Sequence, residues 1–252
     1  MPPPEKTVSF VIAGVQKAGT SALDAFLRRH PRIRMARVKE THFFDTESYF
    51  TGDMDIRAAY HALFPDSAPG MLLGEATPIY LYWEPAPARL HAYNPAMKLI
   101  VLLRHPAERA FSHWHMERQR RDETWDFSAA IRAEPQRLRE AAPLQHRVYS
   151  YVDRGRYARQ LRRLWSIFPR EQTLIRRYED LEQRPQQLLD DVCRFLAIAP
   201  LDFAAIPEKR VFAQTYTATL SPADRAWIAG ELADDLTDLE ALLGWNCQAW
   251  RT

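Results

Sequence analysis

Residues Phe10–Ser21 read FVIAGVQKAGTS: an apolar run halts at a glycine, becomes a short loop and continues as a helix. The spacing is close to that of a phosphate-binding loop, G-x-x-x-x-G-K-[ST]. Gly14 and Gly19 bracket four residues, and Ser21 stands where the magnesium-binding hydroxyl of that motif belongs. Thr20 occupies the lysine slot, and the lysine, Lys17, lies between the glycines instead. Such a loop can cradle a phosphate with backbone N–H groups and the N-terminus of the following helix. It lacks the usual arrangement for a nucleoside triphosphate with magnesium.

Outward from this stretch, strands alternate with helices. Strands are expected at Val8–Ala13, Arg32–Met35, Met71–Gly74, Lys98–Leu103 and Thr173–Tyr178. The first and fourth are unbroken apolar runs, as suits strands buried on both faces of a parallel sheet. Helices are expected at Ala18–His30, Ile56–Leu63, Pro85–Tyr93, Pro106–Arg121, Tyr157–Phe168 and Pro185–Leu196. A long final helix, Pro222–Leu243, has an acidic polar face and Gly244 as its C-cap. Residues 122–150 are charged and poorly periodic and read as an insertion with one short helix. The pattern predicts an α/β fold: an open, mostly parallel P-loop-type sheet flanked by helices, in one domain over residues 1–252.

Bulk properties narrow the function. The 252 residues are 46% hydrophobic, enough for a sizeable core, and 34 basic against 32 acidic residues leave a net charge of +2. No global field points to nucleic acid. Cys193 and Cys247 form no metal-ligand spacing and no disulfide framework, which fits a reducing compartment. No stretch approaches the roughly 18 apolar residues of a membrane span, and the N-terminus lacks a leader pattern. The expectation is a cytoplasmic protein without membrane or nucleic-acid partners; nothing in the sequence indicates an oligomeric state.

The second strong strand, KLIVLL, ends at Arg104. A nucleoside triphosphatase would carry a magnesium-holding aspartate after such a strand. A cation there suits a second anionic group, and Ser112, eight residues on, could add a hydroxyl to it. The alternative is that Arg104 pairs with a carboxylate and Ser112 lies on a helix surface.

Four blocks in order, GVQKAGTSALDAFLRRHP, KETHFFD, GEATPIYL and KLIVLLRHPAERAFSHW, resemble the sulfotransferases that use 3′-phosphoadenosine 5′-phosphosulfate (PAPS), and within them the branch of heparan sulfate glucosaminyl N- and 3-O-sulfotransferases. A weaker likeness, RGRYARQLRRLWSIFP and then YEDL, extends beyond residue 190. The resemblance implies a sulfotransferase fold and transfer of a sulfuryl group to a hydroxyl or amine on a carbohydrate or other small molecule, leaving adenosine 3′,5′-bisphosphate, with no metal required. It places the 5′-phosphosulfate on Lys17, Ala18, Gly19, Thr20 and Ser21 and the 3′-phosphate on Arg104 and Ser112. Lys17 would stabilise charge on the departing phosphate. Glu40 would be the base, with His42 as reserve base or acceptor contact, the two pointing to one side if the segment is extended. Lys209, Arg210 and Phe212 would close over the donor. The branch typically has lysine after the glutamate of the third block; this chain has Glu75-Ala76, so either Arg37 or Lys39 substitutes or the acceptor geometry differs. Glu75 itself is either an acceptor contact or a structural carboxylate. Two other classes fit less well: a P-loop kinase or nucleoside triphosphatase, and a non-catalytic nucleotide-binding protein.

Overall fold

The structure is a computed structural model that describes residues 7–202 and 218–252. The chain divides into two compact units, one within Met1–Leu103 and Trp165–Ala213, the other within Arg104–Leu164 and Gln214–Thr252.

The first unit holds the sheet. Its strands are β1 (Val8–Gly14), β2 (Ile33–Met35), β3 (Leu72–Ala76), β4 (Lys98–Leu103) and β5 (Thr173–Arg177). They lie in the order β2-β3-β1-β4-β5, and every paired strand is parallel. The two continuous apolar runs are the middle of this order. Phe10, Val11 and Ile12 of β1 and Leu99–Leu103 of β4 have no solvent exposure, because helices on both faces of a parallel sheet leave central strands nothing to solvate. Three of the helices of this unit are α1 (Thr20–Leu27), α2 (Ile56–His61) and α3 (Ala86–Tyr93). Gly74 of β3 lies opposite Phe10 of β1, and a Cβ at Gly74 would sit 2.1 Å from the Phe10 ring. The phenylalanine therefore fills the space a side chain on β3 would need.

The second unit is helical: α4 (Pro106–Arg120), α5 (Phe127–Ala141) and α6 (Tyr157–Trp165). Between α6 and the later helices of the chain come two of the first unit, α7 (Tyr178–Gln183) and α8 (Pro185–Leu196). The second unit ends with α9 (Pro222–Glu231) and α10 (Ala233–Leu243). Two expectations change here. The charged stretch 122–150 contains a 15-residue helix, α5, capped by Asp126, whose carboxylate accepts the Ala129 N–H at 2.8 Å. Its buried stripe is Phe127, Ala130, Ile131 and Glu134. The last of these is a glutamate that accepts the N–H groups of Val152 (2.7 Å) and Asp153 (2.8 Å). A carboxylate in the i+7 position hides the helical period from a hydrophobicity reading. The expected single C-terminal helix is two, because the wholly buried Leu232 leaves helical geometry at φ −107°, ψ 6°. The acidic face of α10 is partly structural, since buried Asp235 accepts the N–H groups of Ala158 and Arg159 at 3.0 Å each. Gly244 caps α10 with φ 67°, as expected. Among the described residues no helix is long and apolar enough to cross a membrane.

Because Phe10 occupies the Cβ space of Gly74, Gly74→Ala should lower unfolding stability by about 1–3 kcal/mol, the cost of overpacking a closed core. A urea titration that leaves the midpoint unmoved would contradict this packing.

Candidate active site

The loop after β1 is tied to the sheet and opens onto a helix start. Val15 N–H bonds the Leu102 carbonyl of β4 at 2.9 Å, and Ala18 N–H bonds the Val15 carbonyl at 3.2 Å. The first intrahelical bonds of α1 run from Ala22 and Leu23 N–H to the Gly19 carbonyl (3.0 and 3.1 Å). The N–H groups of Thr20 and Ser21 thus precede the helical ladder, as the first donors of a helix do. They carry the positive end of its dipole. Lys17 (φ 72°) and Gly19 (φ 79°) are both left-handed, so the loop curls tightly. Gly19 has no room for a side chain, since a Cβ would meet Tyr178 and Leu181 of α7 at 2.8 Å. The YEDL block is thereby explained: it is the wall against which the anion loop is pressed. Ala18 and Thr20 are buried and Ser21 is half-buried. A curled loop with a lysine and a helix N-terminus fits a phosphate or phosphosulfate.

A second loop, Lys39–Asp45, is hung on β3. Glu40 N–H bonds the Ala76 carbonyl (2.9 Å) and Thr41 N–H bonds Thr77 Oγ1 (3.0 Å). The N–H groups of Phe43 and Phe44 both reach the Tyr80 hydroxyl (3.1 and 3.3 Å). At the centre is Glu75, wholly buried, which accepts hydroxyls from Thr41 (2.6 Å), Tyr60 (2.6 Å), Thr77 (2.7 Å) and Tyr80 (3.2 Å). Burial pushes the Glu75 carboxyl above its ordinary range while the hydroxyl donors pull against it. Of its two readings, acceptor contact and structural carboxylate, the geometry selects the structural one.

Glu40 and His42 do not lie in an extended segment. Their φ angles are 61° and 50°, left-handed for both. They nevertheless face each other, His42 Nε2 lying 3.6 Å from Glu40 Oε2. His42 Nδ1 donates to buried Asp45 at 3.0 Å, and Lys39 Nζ forms an ion pair with the other Glu40 oxygen. The result is an alternating row: ammonium, carboxylate, imidazole, carboxylate. Hydrogen bonds to Asp45 and then Glu40 outweigh burial and raise the His42 imidazole to about 9. Burial alone would raise Glu40, but the His42 contact and the Lys39 charge hold it at about 2. At neutral pH Glu40 is ionised and His42 protonated, so Glu40 can accept a proton and His42 cannot. Five non-glycine residues among those described have positive φ. Arg121 and Ala197 are left-handed caps that end α4 and α8; the other three are Lys17, Glu40 and His42. Such backbone costs about 1 kcal/mol or more per residue, and outside helix caps it is confined to these two loops.

Both loops sit at the carboxyl ends of parallel strands, where ligands of such sheets bind. Ile12 of β1 pairs with Ala76 of β3, whose carbonyl holds Glu40. Two lateral strand spacings, roughly 10 Å, therefore separate the backbone of Glu40 from that of the strand feeding the anion loop.

Arg104 and Ser112 belong to the helical unit. Arg104, half-buried, follows directly on β4, and its carbonyl accepts the Tyr157 hydroxyl at 2.8 Å. Ser112 lies within α4 and is 2% exposed, so it is no helix-surface residue. Lys209, Arg210 and Phe212 lie outside the described residues. The sequence reading did not single out Asp45, Thr41, Tyr60 or Tyr80. Asp45 carried the one available signal, three residues after His42 inside the KETHFFD block.

A profile described as the sulfotransferase domain matches residues 8–216. The chain belongs to the sulfotransferase family. It is 35% identical over 188 residues to mouse (Mus musculus) heparan sulfate glucosamine 3-O-sulfotransferase 3B1, which covers 75% of this chain and 45% of that protein. It is 30% identical over 204 residues to the human (Homo sapiens) bifunctional heparan sulfate N-deacetylase/N-sulfotransferase 3, covering 78% of this chain and 23% of that one. The chain thus spans less than half the length of these curated relatives. Among solved structures, a sulfotransferase from Alicyclobacillus acidocaldarius superposes with a TM-score of 0.82 at 28% identity, over 98% of this chain and all of that one. A mouse sulfotransferase, SULT7A1, complexed with PAP shares the fold alone, with a TM-score of 0.55 at 16% identity, over 96% of this chain and 88% of that one. The parallel sheet flanked by helices is the sulfotransferase fold, as expected, and the family is that of sulfotransferases rather than of kinases.

His42 supplies a pH signature. Its imidazole is raised from 6.5 to about 9, so its contribution to stability is full below pH 6.5 and is lost as pH rises through about 9. The thermal midpoint of the protein should fall across that window, and His42→Ala should remove that component of the fall. An unchanged profile in the variant would show that the imidazole does not hold its proton as described.

Proposed function

We propose that this chain transfers the sulfuryl group of PAPS to a hydroxyl or amine, with Glu40 as the base. The observation that carries the reading is one sheet edge that holds both an anion loop and, two strand spacings away, an ionised carboxylate locked in strained backbone. The donor would bring the sulfuryl group and a phosphate leaving group. The 17–21 loop would bind the phosphosulfate through the Thr20 and Ser21 N–H groups, the Ser21 hydroxyl and Lys17. Lys17 would meet the charge that grows on the phosphate oxygen as it takes the electron pair of the broken S–O bond. Glu40 would take the proton of the acceptor as its oxygen or nitrogen bonds to sulfur. His42, protonated and held by Asp45, orients Glu40 and faces the acceptor.

Arg104 and Ser112 are assigned to the 3′-phosphate, and Lys209, Arg210 and Phe212 to the cover of the donor, on the strength of the family pattern. The sulfotransferase profile runs through both units, which supports their acting as one domain. The printed names of the relatives support a carbohydrate acceptor. A magnesium-dependent kinase is disfavoured by Thr20 in the lysine slot and by Arg104 where a metal-holding aspartate would stand.

Two measurements test this. Adenosine 3′,5′-bisphosphate at about 100 times its Kd should stabilise the protein without magnesium by about 2.7 kcal/mol, which is about 5–10 °C in Tm for a chain of this size. Equal stabilisation by Mg-ATP would overturn the donor assignment. Glu40→Gln should leave that titration unchanged while lowering kcat about 100-fold or more; near-normal turnover would remove Glu40 from the role.

A further inference from the structure

Lys39 and Glu40 are adjacent in sequence, and adjacent side chains of an extended segment point to opposite sides. Here they form an ion pair, with side-chain exposures of 21% and 28%. The left-handed backbone of Glu40 breaks the alternation that would part them. An exposed pair is worth little and would not justify strained backbone. This one acts on a group whose proton affinity decides whether it can work as a base.

The charged groups about Glu40 can be named. Lys39 sits on Oε1, His42 lies 3.6 Å from Oε2, and Asp45 stands behind His42 at 3.0 Å. On the β3 side, Glu75 is one residue away through Thr41, whose hydroxyl it accepts at 2.6 Å. His42 is fixed by Asp45. Lys39 is the cation that can leave, because a lysine ammonium is a mobile point charge on a flexible four-carbon stem.

We propose, on the reading that PAPS is the donor, that Lys39 makes the base answer to donor binding: its ammonium holds Glu40 until an anionic donor draws it away. With Lys39 on the carboxylate, Glu40 is ionised but a weak base, so it takes few protons from solvent or from an unpartnered acceptor. A phosphosulfate in the neighbouring anion loop offers Lys39 competing oxygens. Once the ammonium turns to them, Glu40 loses a neutralising charge and gains proton affinity, at the moment when a proton must be accepted. The same movement sets a second cation, besides Lys17, against the transferring group. Ala76 leaves this task to the loop, since the residue bonded to the Glu40 N–H carries no charge of its own.

The test reads the Glu40 carboxyl directly by carbon-detected NMR titration, with no turnover involved. In the donor-free protein the Glu40 signal should stay flat from pH 7 down to about pH 4, since its carboxyl is held at about 2. In Lys39→Met it should move upward by about one pH unit or more and begin to titrate inside that range. Lys39→Arg, which keeps the cation, should restore the flat profile. Saturating PAPS should shift the wild-type titration upward and leave that of Lys39→Met where it was. A flat profile in Lys39→Met, or PAPS that binds by calorimetry without moving the wild-type signal, would overturn the inference and leave the donor assignment standing. PAPS that does not bind at all would overturn the donor assignment, and this inference with it.

Discussion

Much of the site hangs on a carboxylate that never meets solvent. Glu75 is the penultimate residue of β3 and is wholly buried, and its two oxygens receive four hydroxyls, from Thr41, Tyr60, Thr77 and Tyr80. A buried carboxylate without such donors would be untenable, costing several kcal/mol. Once satisfied, it fixes whatever supplies the donors. Thr41 brings the Glu40–His42 loop, Tyr60 brings α2, and Tyr80 brings the chain after β3 and also takes the N–H groups of Phe43 and Phe44. The aromatic rings of Phe43, Phe44, Tyr60 and Tyr80 then close over one another at centroid distances of 4.7–5.7 Å. Glu40 is held by a polar centre wrapped in an aromatic shell, and the loop that carries it can afford left-handed backbone because so many bonds overdetermine it.

The anion loop is built on the opposite logic. The N–H groups of Thr20 and Ser21 stand at the start of a helix, ahead of its ladder, and the loop's rigidity comes from packing. Gly19 is pressed against Tyr178 and Leu181, and Gly14 against Leu81, where a Cβ would meet Leu81 Cβ at 2.9 Å. The lysine-bearing loop and the loop of alternating charges both lie at the carboxyl ends of strands of one parallel sheet. On the proposed reading, a donor with an anionic leaving portion and an acceptor with a proton to lose would find both needs met side by side. His42 and Asp45 hold their charges in place beforehand, an arrangement suited to electrostatic preorganisation.

How legible this was depended on how local the physics is. Lys98–Leu103 reads as a buried strand because five apolar residues in a row, Leu99–Leu103, have one common explanation, and the structure returns the same bounds. The helix Pro185–Leu196 likewise keeps its expected limits, set by a proline at its start and left-handed Ala197 at its end. Helix α5 was obscured because one of its core positions is Glu134, whose burial depends on N–H groups that lie 18 and 19 residues away. The break at Leu232 was invisible for the same reason. Glu40 stands out because its block is distinctive, but the expectation that it and His42 share an extended face failed; they meet through left-handed backbone instead.

The sequence by itself determined the class of the sheet and the family, because these rest on short local patterns: glycines five apart, a lysine between them and an apolar run before them. The tertiary structure decided how the surroundings of the two candidate carboxylates differ: one is buried as a structural group and the other stays accessible. Glu40 and Glu75 are both glutamates beside threonine-bearing motifs, and nothing in their neighbours along the chain separates them. Burial does. Glu75 is sealed beneath four hydroxyls from residues as far as 34 positions away, while Glu40 keeps 28% of its side chain exposed between two cations. Proton affinity is set by what surrounds a group in space, and only the fold brings those surroundings together.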